Sequence, residues 1–148
     1  MDAQMLDGYK YVYIPILEYN SGRYDIWSIS SKLESYFKRK GFYVLTDRSS
    51  YIPDEVTSNP CLLLRCEINH TNVTYGTNKV DLTLKNCNDK VVISETGGAM
   101  GLSLQDDYNK ATKRAFKPIE AIKYSFDQIK RQNPICRMLS LLLRQSLP

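Results

Sequence analysis

The segment "KVDLTLKN", residues 79 to 86, constrains the fold most. Val80, Leu82 and Leu84 alternate strictly with Lys79, Asp81, Thr83 and Lys85. A period of two is the signature of an antiparallel strand with one face in the core and one in water. The preceding run "CLLLRCEINHTNV", residues 61 to 73, sets Leu62, Leu64, Cys66 and Ile68 against Leu63, Arg65, Glu67 and Asn69. A tight turn "CNDK" leads on to "VVISET". Three such segments in succession predict a meander.

On both sides of the meander the period becomes helical. Ile26, Ile29, Leu33 and Phe37 recur every three or four residues after Asp25, which serves as N-cap. Lys38, Arg39 and Lys40 oppose the negative end of the dipole, and Gly41 stops the helix. The aromatic and β-branched run at 9 to 17 and "FYVLTD" at 42 to 47 read as strands flanking that helix. "RSSYIPDEVTSNP" reads as a polar connection. A second helix opens with Ser103 and Asp106 at capping-box spacing. Its apolar stripe is Leu104, Tyr108, Ala111, Ala115, Ile119 and Ile122, which keeps its phase past Pro118 to Phe126 and Ile129. Proline deletes the bond to residue 114, so a bent helix over 104 to 130 is expected. The predicted fold is α+β: a mainly antiparallel sheet of four or five strands, with the 26 to 40 and 104 to 130 helices packed on one face.

A chain of 148 residues with 43% apolar content can bury one core without metal or disulfide staples. A single domain over 1 to 132 is expected. Of 20 basic and 16 acidic side chains, residues 103 to 148 hold 9 and 4, leaving 11 and 12 for residues 1 to 102. The net charge of +4 thus belongs to the last third. Lys110, Lys113, Arg114 and Lys117 stand opposite the apolar stripe. Such a row is ordinarily a solvated face, and its alternative use is to hold a nucleic acid or another polyanion. The overall excess is small for a dedicated nucleic-acid domain, which disfavours that partner. Tyr9, Tyr11 and Tyr13 line one side of the first strand, either as a covered face or as a stacking platform. Trp27 and Tyr24 offer further rings.

Catalysis finds no constellation. His70 is the sole histidine, so a hydrolase built on it is the least favoured reading. "TGGAMG" carries the glycines of a phosphate loop without its lysine and reads as a flexible strand-to-helix connection. Asp106 and Asp107 are adjacent on a helix and make a poor chelate. Cys61, Cys66, Cys87 and Cys136 lack the spacing of a zinc site. Buried free thiols are expected, with a Cys66 to Cys87 bridge as the alternative. No cofactor or metal is expected. The two overlapping sequons at Asn69 and Asn72 matter only in a glycosylating compartment. No run reaches the length of a membrane span, and no signal peptide is expected at the start.

The order strand, helix with "SSKLESYFKRKGFYVL", several strands, then a closing "DDYNKATKRAFKPI" helix resembles a family of small bacterial envelope proteins of unknown function, over roughly residues 8 to 122. The helix ending in a K-G-F/Y-x-V step also resembles the α/β domains of curli-secretion CsgG-type lipoproteins, the TolB amino-terminal domain and activators of penicillin-binding proteins. The resemblance implies a noncatalytic binding or assembly module, periplasmic or outer-membrane-associated.

Residues 133 to 148, "NPICRMLSLLLRQSLP", are leucine-rich after a helix-breaking Asn133-Pro134. Ile135, Met138, Leu139 and Leu142 would share one side of a helix, and burying four such side chains is worth about 6 to 12 kcal/mol before entropy is subtracted. The tail is therefore expected to dock on its own domain or to mediate association with a protein partner or a second copy. Truncation after Gln132 should change either the oligomeric state or the melting temperature; if both are unchanged, the tail contributes nothing.

Overall fold

The computed structural model describes residues 6–19, 22–71, 76–101 and 103–126. The tail at 133 to 148 and Ile129 lie outside them. The chain runs β1 (Tyr11–Ile14), α1 (Ile29–Lys40), β2 (Tyr43–Thr46), α2 (Asp54–Ser58), a 3-10 turn (Pro60–Leu62), β3 (Leu63–Thr71), β4 (Asn78–Lys85), β5 (Val91–Ala99) and α3 (Leu104–Glu120). The strands form one five-stranded sheet in the order β2-β1-β3-β4-β5. Its long ladders, β3 with β4 and β4 with β5, are antiparallel, as the alternation predicts. The short β1 runs parallel to both β2 and β3. Parallel neighbours require a crossover, and α1 supplies it between β1 and β2.

The α+β expectation holds. Val12, Ile14, Leu64, Cys66, Ile68, Val80, Leu82, Leu84 and Ile93 face a single core with Leu33 and Phe37 of α1 and Tyr108, Ala111, Ala115, Phe116 and Ile119 of α3. Both long helices therefore lie on the same side of the sheet. They run parallel: Gln105 Nε2 donates to the Trp27 carbonyl at one end (2.8 Å), and Lys40 Nζ donates to the Glu120 carbonyl at the other (2.7 Å). The rings of Phe42 and Phe116 meet Phe37 edge-on, with centroids 5.7 and 5.1 Å away. A smaller cluster on the opposite face joins Tyr11 to Val56 and Leu62, so the segment expected as a plain connection carries α2 and the 3-10 turn to cover that face.

Several boundaries differ from expectation. β1 stops at Ile14 because Pro15 has no N–H to give, and the next amide, Ile16 N, donates to the Asp47 carboxylate (3.0 Å). α1 begins at Ile29, not at residue 26. Asp25 and Ser28 both take positive φ (46° and 56°), which forms a turn ahead of the helix. Asp25 nevertheless caps it, since its carboxylate accepts from the amides of Ser30 and Ser31, both at 2.9 Å. α3 ends at Glu120, not at residue 130. Pro118 sits in its last turn, where one missing bond terminates the helix instead of bending it. Beyond it Ile122 stays buried, and Tyr124 stacks on Phe42 with centroids 3.9 Å apart.

Two further expectations are corrected. Cys61 and Cys87 form a disulfide instead of remaining free thiols, while Cys66 is free and buried. The register explains the pairing: Cys66 lies opposite Leu84, out of reach of Cys87, whereas the turns before β3 and after β4 meet at one end of the ladder. Of the glycines of "TGGAMG" only Gly101 lies in the connection from strand to helix, because Gly97 and Gly98 belong to β5. A Cβ on Gly97 would fall 2.0 Å from the Ala111 carbonyl oxygen and 2.5 Å from the Ala115 nitrogen. Glycine is what lets the α3 backbone rest on the strand. Gly97→Ala should therefore lower stability by about 1–3 kcal/mol or more in urea unfolding. An unchanged midpoint would show that α3 is not seated on β5 at this point.

Candidate functional site: a basic groove between the helices

With α1 and α3 parallel on one face, their outward edges leave a groove of about 700 Å³ between them. Lys32 and Arg39 of α1 enter it from one side, Lys110 and Lys113 of α3 from the other. Residues spaced by seven positions on α1 and by three on α3 stay on one helix face, which is why both pairs point to the same space. Tyr36 and Phe116 form its floor with ring centroids 5.1 Å apart, and the Arg39 guanidinium lies 4.9 Å from the Tyr36 ring. Glu120 is the one carboxylate among the described residues that line it.

Four cations of the described residues sit in ion pairs. Lys10 pairs with Glu55 and Lys38 with Glu34, both at 2.8 Å, and Lys85 with Glu67 at 3.0 Å; Arg65 pairs with Asp89. Among the described residues, none of the four groove cations takes part in an ion pair.

The basic row read from the sequence thus divides. Lys110 and Lys113 line the groove, Lys117 is exposed but outside it, and Arg114 turns the other way to donate to the Gly98 carbonyl. Lys32 does not stand out in the sequence, and Arg39 does so only as one of three cations at the end of α1. The tyrosines also separate. Tyr11 is only 7% exposed and its hydroxyl donates to Glu55 (2.8 Å); burial and then that carboxylate raise its pKa. Glu55 also accepts from Lys10, and the two bonds, that from Lys10 foremost, depress its pKa. Tyr13 is half-buried and bonds to Asp47. Tyr9 packs against the helix-side core, and its carbonyl accepts from the Tyr124 hydroxyl. The three rings form no common platform. Trp27 packs on Tyr108 with centroids 5.7 Å apart, and Tyr24 is exposed.

The residues that could serve chemistry are held in structural settings. His70 lies between Tyr19 and Tyr108, with centroids at 5.0 and 5.7 Å, and its Nδ1 is buried with no hydrogen-bond partner among the described residues. Burial pushes the Cys66 thiol up, which makes it a poor nucleophile. Ser103 Oγ accepts from the Asp106 amide and donates to its carboxylate at the start of α3, while Asp107 turns inward to accept from Asn78 Nδ2 (2.9 Å). Among the described residues no three His, Cys, Asp or Glu side chains gather as a metal site would require. None of the described helices is long and apolar enough to cross a membrane.

The fold is that of a small α+β domain with two parallel helices on one face of a mixed sheet. No protein-family model and no curated protein matches the chain. Among solved structures, it is similar in fold to a Leu-to-Met variant of the PelC dodecamer from Paraburkholderia phytofirmans, with 19% identity, 78% of this chain and 91% of that chain covered, and a TM-score of 0.52. The PelC dodecamer of the same organism in another crystal form aligns at 16% identity over 74% of this chain and 88% of that one, with a TM-score of 0.46.

Burial holds the His70 pKa below 6.5, so the folded protein favours the neutral ring. The unfolded chain then takes up more protons as pH falls through its ordinary value. The stability that neutral His70 contributes is complete above about pH 6.5 and is lost as pH drops from there toward the folded pKa. Urea midpoints measured at about pH 7.5 and about pH 5.5 should fall further in the wild type than in His70→Phe. Equal falls would show that the imidazole is not responsible.

Proposed function

We propose that the chain is a noncatalytic, envelope-associated binding module that works by assembling with copies of itself. The observation that carries this reading is the likeness of its fold to a chain that forms a dodecamer, with 91% of that chain covered. The sheet supplies a physical route to such assembly. β2 and β5 are its two edges, at opposite ends of the order β2-β1-β3-β4-β5. Open edges present unpaired backbone groups, and a head-to-tail contact between opposite ends generates a ring when the rotation closes. Exposed apolar side chains stand at both ends: Tyr43 on β2 with Tyr51 and Ile52 after it, and Val91 and Met100 at the two ends of β5.

The envelope location is supported by the disulfide between Cys61 and Cys87. Such bonds persist in oxidising compartments, the bacterial periplasm among them, and are rare in the cytosol. The sequence resemblance to small envelope proteins points the same way. A noncatalytic role is favoured because His70 faces aromatic rings and because the one described free thiol is sealed in the core.

Light scattering on the purified chain should give a mass that is a multiple of 17.1 kDa. Val91→Lys, which puts a charge on the β5 edge, should shift the assembly toward monomer without lowering the melting temperature. A wild-type chain that stays monomeric at every accessible concentration would overturn the assembly reading.

A further inference from the structure

We propose that the groove between α1 and α3 is a binding site for an acidic polysaccharide, with Lys32, Arg39, Lys110 and Lys113 pairing with carboxylates spaced along the sugar chain. The site is independent of the assembly reading, since it lies on the helices and not at the sheet edges.

The first support is the shape of the charge. α1 has 12 residues, so the groove beside it is about 18 Å long at 1.5 Å per residue. Lys32 and Arg39 lie two turns apart, about 10 Å along the helix. Cations distributed in this way do not converge on a point, as a site for one small anion would require. They suit an extended ligand that carries charge at intervals. The second support is that two helices bring four cations to one groove and, among the described residues, none of the four is in an ion pair. A ligand that brings its own carboxylates meets no internal competitor at this surface.

The lining decides between classes of polyanion. Single-stranded nucleic acids are held by stacking bases on free aromatic faces as well as by charge. Among the described residues the groove's rings are Tyr36, half-buried and in contact with both Phe116 and Arg39, and Phe116, 3% exposed, which leaves little aromatic surface for a base. What the groove does offer besides charge is Ser28, Ser31, Ser35 and Asn109. Ser31 and Ser35 donate their protons to Asp25 and the Ser31 carbonyl, and Asn109 Oδ1 accepts from Gln105, which leaves the two hydroxyl oxygens to accept from sugar hydroxyls and the Asn109 amide to donate. Glu120 stands at the end where α1 and α3 terminate. Its carboxylate, beside Arg39 at that end, weakens the hold on an anionic chain there, so Lys32, Lys110 and Lys113 carry most of the binding.

The test is titration of the whole chain with polygalacturonate, a polymer of acidic sugars, with neutral dextran and single-stranded DNA in parallel. Polygalacturonate should bind, more weakly as salt rises, and dextran should not. Lys110→Ala/Lys113→Ala and Lys32→Ala/Arg39→Ala should each weaken binding about five- to tenfold. Lys79→Ala/Lys90→Ala, which removes the same charge from exposed positions elsewhere, should leave it unchanged. Glu120→Gln should tighten binding, which keeps the proposal testable even if a lysine variant fails to fold. Melting curves confirm the fold of each variant. Absence of polygalacturonate binding overturns the proposal. So does an equal loss in the Lys79/Lys90 variant, or stronger binding of DNA than of polygalacturonate.

Discussion

The contact on which the other features depend is that between the α3 backbone and Gly97. Strand and helix usually keep their side chains between them, but here the carbonyl of Ala111 and the nitrogen of Ala115 reach the space a Cβ would occupy. The small residues Ala111 and Ala115, both fully buried, continue that close approach from the helix side. Seating α3 low over β4 and β5 leaves room on the same face for α1, over β1 and β2. Phe37 and Phe116 then fill the angle between the helices. The groove is what remains above those rings. Arg114, held to the Gly98 carbonyl, fixes the rotation of α3 that turns Lys110 and Lys113 toward α1.

The parts of this arrangement governed by local periodicity were legible in the sequence. Val80, Leu82 and Leu84 announce β4, and the stripe from Leu104 to Ile119 announces α3, because burial on one face imposes the period directly. Features set by contacts between distant segments were not legible. The Cys61–Cys87 bond depends on the β3–β4 register and on where the 3-10 turn ends. Gly97 and Gly98 resemble a loop until a helix is known to lie on them. The start of α1 was misplaced because Asp25 caps it from outside, through a turn that needs Ser28 at positive φ.

The groove shows the same division. Lys110 and Lys113 stood out as part of a basic row on one helix, yet that row is not the unit the fold uses. Lys117 and Arg114 leave it, and Lys32 and Arg39 join from a helix some 70 to 80 positions earlier. In the sequence, Arg39 is one of three cations next to a helix C-terminus, and the helix dipole explains all three equally well. Only the parallel placement of α1 beside α3 separates Arg39 from Lys38, which pairs with Glu34, and from Lys40, whose ammonium caps the Glu120 carbonyl.

That separation bears on why the groove is charged at all. Position 34 of α1 is a glutamate four residues before Lys38, the spacing that forms an ion pair on a helix surface. The next stripe, facing the groove, has Ser35 four residues before Arg39, and the opposite wall has Asn109 four residues before Lys113. A carboxylate at either site would neutralise a cation at little structural cost. Two unpaired cations about 10 Å apart repel by only about 0.4 kcal/mol in water before salt screening, so folding tolerates the arrangement without requiring it. Stability does not account for short polar groups where an acid would pair. Room and bonding capacity for the proposed anionic ligand would.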